Sequence, residues 1–183
     1  MFKEFDRSGL ITFGSGNLPH WNQEGVTYFA TFRLGDSLPE AKLGPWRIER
    51  DLWLRRHPRP WTDAIQEEYD REFTARIDRW LDAGAGSCIF KDRSLNGFMR
   101  EVLRSGHSTR YHLEESTVAD NHVHVVVEPA PGVTLSQILH SWKSYSAHQI
   151  GRGSIWQKES YDHIVRDLSD LKRIRNYIRA HEH

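Results

Sequence analysis

Two histidines one residue apart, His122 and His124, open an otherwise apolar run that stops at a proline, "ADNHVHVVVEP" over residues 119–129. Side chains alternate between the two faces of a strand, so both imidazoles project from one side while Val123, Val125 and Val127 project from the other. Their Cα atoms then lie roughly 7 Å apart, a spacing from which both rings can converge on one metal ion. Neutral imidazole is the commonest metal-binding side chain. The same pattern reads equally well as two surface histidines on a half-exposed strand. A second constellation lies near the C-terminus. Tyr177 and His181 are four apart and share a helix face, beside the apolar stripe Leu168, Leu171, Ile174 and Ile178 that must dock the helix. A phenol at the rim of such a helix is a candidate nucleophile. A nearby metal would polarise a phosphate oxygen and offset charge in the transition state. A phenol ordinarily titrates near ~10, so its attack needs a base or a field that favours the phenolate. In amphipathic helices, however, tyrosines more often serve packing.

The elements that must carry these residues follow from local pattern. Residues 1–22 are rich in Gly, Ser and Pro and read as an N-terminal arm. "GVTYFATFRL" (25–34) is β-branched and aromatic, hence a strand. Ile65, Tyr69, Phe73, Ile77 and Trp80 recur at spacings of four and three, which predicts a helix over 61–81. Leu95, Phe98, Met99, Val102 and Leu103 predict another, ending at Gly106. "TRYHLEESTVA" reads as a strand that "DN" turns into the histidine strand. Thr134 and Gln137 form a capping box ahead of "LSQILHSWKSYSAHQI". An extended passage, "SIWQKESYDHIVRD", precedes the last helix. The order βαββαβ, with a helical segment of about 40–83 inserted after the first strand, predicts an α+β domain. Its sheet is antiparallel, with helices on one face. The chain is read as one domain over 23–183 behind the arm.

Composition narrows the function classes. Lys and Arg (25) balance Asp and Glu (25), so bulk charge points to neither nucleic acid nor membrane. The single cysteine, Cys88, allows neither a disulfide framework nor a CxxC zinc site and favours a reducing compartment. No signal-like or membrane-spanning run occurs, so a cytoplasmic protein without a membrane partner is expected. Local charge is more informative. Lys143, Lys158, Lys172, Arg173 and Arg179 make the C-terminal third basic, and Arg55 and Arg56 lie between Trp53 and Trp61 in "GPWRIERDLWLRRHPRPW". Basic residues interleaved with aromatics suit phosphate contact and base stacking. A solvated linker with its tryptophans tucked into the core would look the same.

"DNHVHVVVEP" resembles the histidine-hydrophobic-histidine (HUH) strand of single-tyrosine transposases, and more specifically of the REP-associated tyrosine transposases. "VTYFATFRLGDSLP", "LSQILHSWKSYSAHQI" and "IWQKESYDHIVRDLSDLKRIRNYI" resemble that group's first strand, the helix after the histidine strand and the approach to the nucleophile helix. The resemblance implies a ferredoxin-like or RRM-like palm with a C-terminal nucleophile helix, and Mg²⁺ or Mn²⁺ as cofactor. The implied partner is single-stranded DNA bearing palindromic hairpins, cut beside the hairpin through a 5′-phosphotyrosine link by a monomer or weak dimer. Residue by residue, His122 and His124 become metal ligands and Tyr177, in the "R-x-Y-I" turn, the nucleophile; Tyr161 is its decoy. Where the family usually has an amide as third ligand this chain has His181, with His163 as a spare, and it lacks the usual Met-Pro before the first histidine. Relatives usually continue past the point where this chain ends, which leaves the third ligand open between His181 and His163. The rival reading is a non-catalytic RRM-like module that binds structured single strands. A histidine-triad hydrolase is set aside because Val126 occupies the position of the third histidine.

Overall fold

The computed structural model describes residues 3, 5, 12–14, 20–58 and 61–180. Within the segment read as an arm, β1 (Thr12–Gly14) and β2 (His20–Asn22) pair antiparallel. The chain forms two compact units, Met1–Gly35 with Ile89–His183, and Asp36–Cys88.

The first unit carries a four-stranded sheet of β3 (Tyr28–Arg33), β4 (Tyr111–Val118), β5 (His122–Pro129) and β6 (Tyr161–Ile164) in the order β4-β5-β3-β6. Every pairing is antiparallel. With α4 (Arg93–Arg104) after β3 and α5 (Leu135–Ile150) after β5, this is the expected βαββαβ, ferredoxin-like α+β arrangement. Both helices start where side chains satisfy backbone N–H groups. Asp92 accepts from Ser94 N at 2.8 Å, and Thr134 and Gln137 form the capping box. Gly106 ends α4 where no other residue fits, because a Cβ there would come within 2.6 Å of the Tyr111 ring.

The two faces of the sheet have different covers. Val123, Val125 and Val127 of β5 and Ala30 and Phe32 of β3 pack with Met99, Val102 and Leu103 of α4 and Ile138, Leu139 and Trp142 of α5. On the other face, Phe29 and Val126 meet Leu171, Ile174 and Ile178 of α6 (Leu168–Ala180). Each apolar side chain buried in this way contributes ~2 kcal/mol. A one-residue slip of β5 would exchange the valine and histidine faces, so burial fixes the register.

The second unit is helical: α1 (Glu40–Arg56), α2 (Asp63–Tyr69) and α3 (Ala75–Asp82), the last two joined through a π-turn at Asp70–Thr74. The single helix expected over 61–81 is thus interrupted by one wide turn. The stretch before it, read as a linker or basic surface, is the helix α1. Its buried positions Leu43, Trp46 and Arg50 do recur at spacings of three and four. The period is hidden because Arg50 lies in the buried stripe while Ile48 and Leu52 are exposed. The tryptophans belong to this unit's core: Trp46, Tyr69 and Phe73 are buried together, with Trp53 and Trp61 against them. At the unit's neck, Asp36 accepts from Ser87 N at 2.8 Å.

Candidate active site

Strand β5 supplies the histidines, and the register places their neighbours. Thr31 of β3 stands opposite His124, and Thr117 of β4 stands opposite it on the other side. Both imidazoles are buried, at 2% and 0% exposure, which removes the surface reading. Their Nε2 atoms face each other at 2.9 Å. Both Nδ1 atoms are also engaged, His122 with Asn121 Oδ1 at 2.8 Å and His124 with Thr31 Oγ1 at 2.7 Å.

This geometry constrains the protons. An amide oxygen only accepts, so His122 carries its hydrogen on Nδ1 and presents a lone pair at Nε2. Two lone pairs cannot face each other at 2.9 Å, so His124 Nε2 must carry a hydrogen unless a cation lies between the rings. The Thr31 hydroxyl can serve either tautomer: it donates to a bare His124 Nδ1, or accepts once the hydrogen has moved there. Asn121 and Thr31 thus hold the two rings as outer partners hold the imidazole ligands of a metal. Two converging Nε2 atoms, each backed by a hydrogen bond on the other nitrogen, fit a divalent cation.

Helix α6 brings the third group. Tyr177 Oη lies 3.3 Å from His124 Nε2, and the rings meet edge to face with centroids 5.0 Å apart. Phe29 holds the arrangement from below, stacked on His124 at 5.6 Å and edge-on to Tyr177 at 6.2 Å. The helix is pinned along both rims. Towards β4, Arg175 pairs with Glu114, and Arg179 with Glu115 at 2.7 Å. The register shifts between Leu113 and Glu115, leaving Glu114 as the extra residue of a bulge. Towards β6, Asp170 accepts from Arg166 N at 3.2 Å and Arg173 at 2.7 Å, with His163 Nε2 at 3.7 Å. Burial alone would push the Asp170 carboxyl up. The hydrogen bond and charge of His163, with the bonds from Arg173 and the Arg166 amide, hold it well below the usual carboxylate range instead.

A folded-state value below the unfolded one means that Asp170 stabilises the protein above about pH 4 and loses that contribution as pH falls further. Asp170→Asn should therefore cost ~1–3 kcal/mol at neutral pH. It should also flatten the acid limb of the stability curve. Urea unfolding as a function of pH reads both effects, and an unchanged acid limb would contradict them.

Of the residues singled out from sequence, His122, His124 and Tyr177 come together, whereas His181 lies outside the described residues. His163 is engaged elsewhere, with Asp170 and, at 3.4 Å, the Tyr161 hydroxyl. Among the described residues no three of His, Cys, Asp and Glu are grouped to hold a metal. Lys158 and Lys172 are exposed, as are Arg55 and Arg56 in the last turn of α1. Arg173 and Arg179 also bridge to Asp170 and Glu115. Lys143 Nζ donates to Lys158 O at 2.8 Å. Thr31, Asn121, Phe29 and Asp170 were not singled out. Only Asn121, directly before the histidine pair, carries a sequence signal.

Residues 89–181, just over half of the chain, match the family model described as "Transposase IS200 like". No curated protein matches. Among solved structures, a REP-associated tyrosine transposase bound to a REP hairpin is 15% identical with a TM-score of 0.45, covering 97% of this chain and 70% of that one. A Deinococcus radiodurans R1 protein described as a transposase is 12% identical with a TM-score of 0.41, covering 92% and 96%. No described helix is long and apolar enough to cross a membrane.

Proposed function

The chain belongs to the IS200-like transposase family, and on that premise we propose that it is a metal-dependent single-strand DNA endonuclease and strand transferase that acts through Tyr177 beside palindromic hairpins. The observation that carries this reading is the approach of Tyr177 Oη to a buried pair of facing imidazole nitrogens, at 3.3 Å from His124 Nε2.

In the proposed reaction, Tyr177 Oη attacks phosphorus. A Tyr–O–P bond to the 5′ side forms as the bond from phosphorus to the 3′ oxygen breaks, and the freed 3′ oxygen takes a proton from water. Transfer to a second strand is the reverse, with an incoming 3′-hydroxyl displacing the tyrosine. A divalent cation, Mg²⁺ or Mn²⁺, held by His122 and His124 would polarise a phosphate oxygen and offset charge that develops on it. His124 Nε2 cannot hold that cation and also bond to the phenol or take its proton, so the edge-to-face contact of the two rings orients Tyr177 and the proton leaves to solvent. Phe29 and α6 fix the ring, so that attack starts from a narrow range of geometries. His181 is the candidate third ligand; His163, the spare, would first have to leave Asp170 and Tyr161.

The test is a covalent-adduct assay with labelled single-stranded hairpin DNA and Mn²⁺. A denaturation-resistant band supports the reading. Retarded DNA in a native gel without any such band would favour the non-catalytic RRM-like module instead.

We also assign Arg55 and Arg56 to DNA contact, together with Lys143, Lys158, Lys172, Arg173 and Arg179. Replacing Arg55 and Arg56 with Ala should weaken hairpin binding. It should reduce the salt slope by about 0.9 for each phosphate of the duplex stem that the protein no longer neutralises. Unchanged affinity at moderate salt would remove both arginines from the interface.

A further inference from the structure

The metal-free and metal-loaded forms of the histidine pair require different hydrogens on one ring. His122 needs no change: Asn121 Oδ1 accepts from its Nδ1 at 2.8 Å, so Nε2 presents a lone pair in both. His124 differs. Without a cation its Nε2–H donates to His122 Nε2 at 2.9 Å, which leaves Nδ1 bare to accept from the Thr31 hydroxyl at 2.7 Å. A cation between the rings needs lone pairs on both Nε2 atoms. One hydrogen must therefore pass from Nε2 to Nδ1 of His124, with no change in the charge of the pair. There it faces Thr31 Oγ1, and the register holds the two residues directly opposite each other on β3 and β5. His124 and Thr31 are 0% and 5% exposed, so water is no substitute partner for a buried N–H. The side-chain type matters for the same reason. A carboxylate or amide oxygen here would only accept, fixing the hydrogen on Nδ1 and setting two lone pairs face to face in the metal-free pair. An N–H here would only donate and would forbid the loaded one. A hydroxyl serves both.

We propose that Thr31 is a positioning residue for the metal: its hydroxyl turns from donor to acceptor as the cation loads, so that His124 alone changes tautomer while Asn121 keeps His122 fixed. The loaded half of this proposal rests on the metal-dependent reading above. A cation withdraws electron density from the imidazole that holds it, which makes Nδ1–H a stronger donor than Nδ1 is an acceptor in the metal-free ring. Loss of the hydroxyl therefore costs the loaded state more than the metal-free one. The nucleophile is touched by the same shift. Tyr177 Oη lies 3.3 Å from His124 Nε2, so loading ends that contact and leaves the edge-to-face packing of the rings to orient the phenol.

Two measurements on the full chain test this, neither of them involving DNA. Nitrogen NMR of protein with isotope-labelled histidine reads the tautomers directly, because protonated and bare ring nitrogens resonate far apart. His124 should carry its hydrogen on Nε2 without metal and on Nδ1 with Mg²⁺, which is diamagnetic. A hydrogen already on Nδ1 in the metal-free protein overturns the proposal. The second measurement is thermal unfolding across a Mn²⁺ series, in which the concentration needed for a given rise in melting temperature scales with Kd. That concentration should be about tenfold higher in Thr31→Val, the lower end of the ~10–100-fold cost of losing a ligand's outer partner. Thr31→Ser should restore it, because the hydroxyl returns. A merely structural role would lower the metal-free melting temperature and leave the Mn²⁺ dependence unmoved, and equal Mn²⁺ dependence in wild type and Thr31→Val overturns the proposal. Should Thr31→Val fail to fold, the tautomers of the wild-type protein decide alone. The two ideas fail separately. Wild-type protein with no Mn²⁺-dependent rise loses the metal reading, and the role of Thr31 falls with it. A wild-type rise that Thr31→Val reproduces keeps the metal and removes Thr31 from its support.

Discussion

Tyr177→Phe should abolish the covalent protein–DNA band, by at least ~10³-fold, while hairpin affinity stays within about twofold of wild type. The substitution removes one oxygen and keeps the ring, so the edge-to-face contacts with His124 and Phe29 survive. What disappears is the hydroxyl 3.3 Å from His124 Nε2, a bond worth about 1 kcal/mol to stability. Binding and folding are therefore nearly silent while the nucleophile is gone, which makes the variant a clean separation of chemistry from recognition. Tyr161→Phe is the control. Tyr161 shares the sheet face, but its hydroxyl lies 3.4 Å from His163 Nδ1, on the β6 side of the sheet and away from the approach of Tyr177 to His124. Adduct that survives in Tyr177→Phe and vanishes in Tyr161→Phe would reassign the nucleophile. Loss in both would point to a damaged sheet face.

The second large effect is expected from His122→Ala. Removing one of two imidazole donors should weaken Mn²⁺ binding by about 100-fold or more, since changes even to the outer partners of a metal ligand cost ~10–100-fold. A readout independent of DNA is available. Ligand at about 100 times its Kd stabilises the folded state by ~2.7 kcal/mol, which for a chain of this size raises Tm by roughly 5–10 °C. Wild-type protein should show that rise with Mn²⁺, and His122→Ala should show almost none. The variant also leaves the 2.9 Å contact with His124 unmade, so its melting point without metal must be its own baseline. An equal Mn²⁺-dependent rise in both proteins would place the metal elsewhere and leave the facing imidazoles as a hydrogen-bonded core pair.

Much of this protein was legible in the chain itself. Period-two alternation in "HVHVVV" separated the valine and histidine faces, helical spacing found α4 and α6, and the Thr134–Gln137 capping box marked the start of α5. The pairing of His122 and His124 was readable for the same reason. Residues two apart in a strand are neighbours by local geometry, and no distant contact is needed to bring them together. Within the helical segment read over about 40–83, α1 was not separated as a helix of its own, because its period is interrupted by a buried arginine and by exposed Ile48 and Leu52.

What the tertiary structure alone decided is the set of contacts between residues far apart in sequence. The Thr31 hydroxyl meets His124 across 93 positions, and Tyr177 meets it across 53. The choice of Tyr177 over Tyr161 as His124's neighbour and the use of Asp170 as a rim anchor both depend on strand order and register. Those follow from how two differently covered faces can be buried at once, a property of the whole sheet that no local window contains. Sequence determined which residue types could do the chemistry and which face each would take; packing α6 over Phe29 and Val126 determined which of them meet.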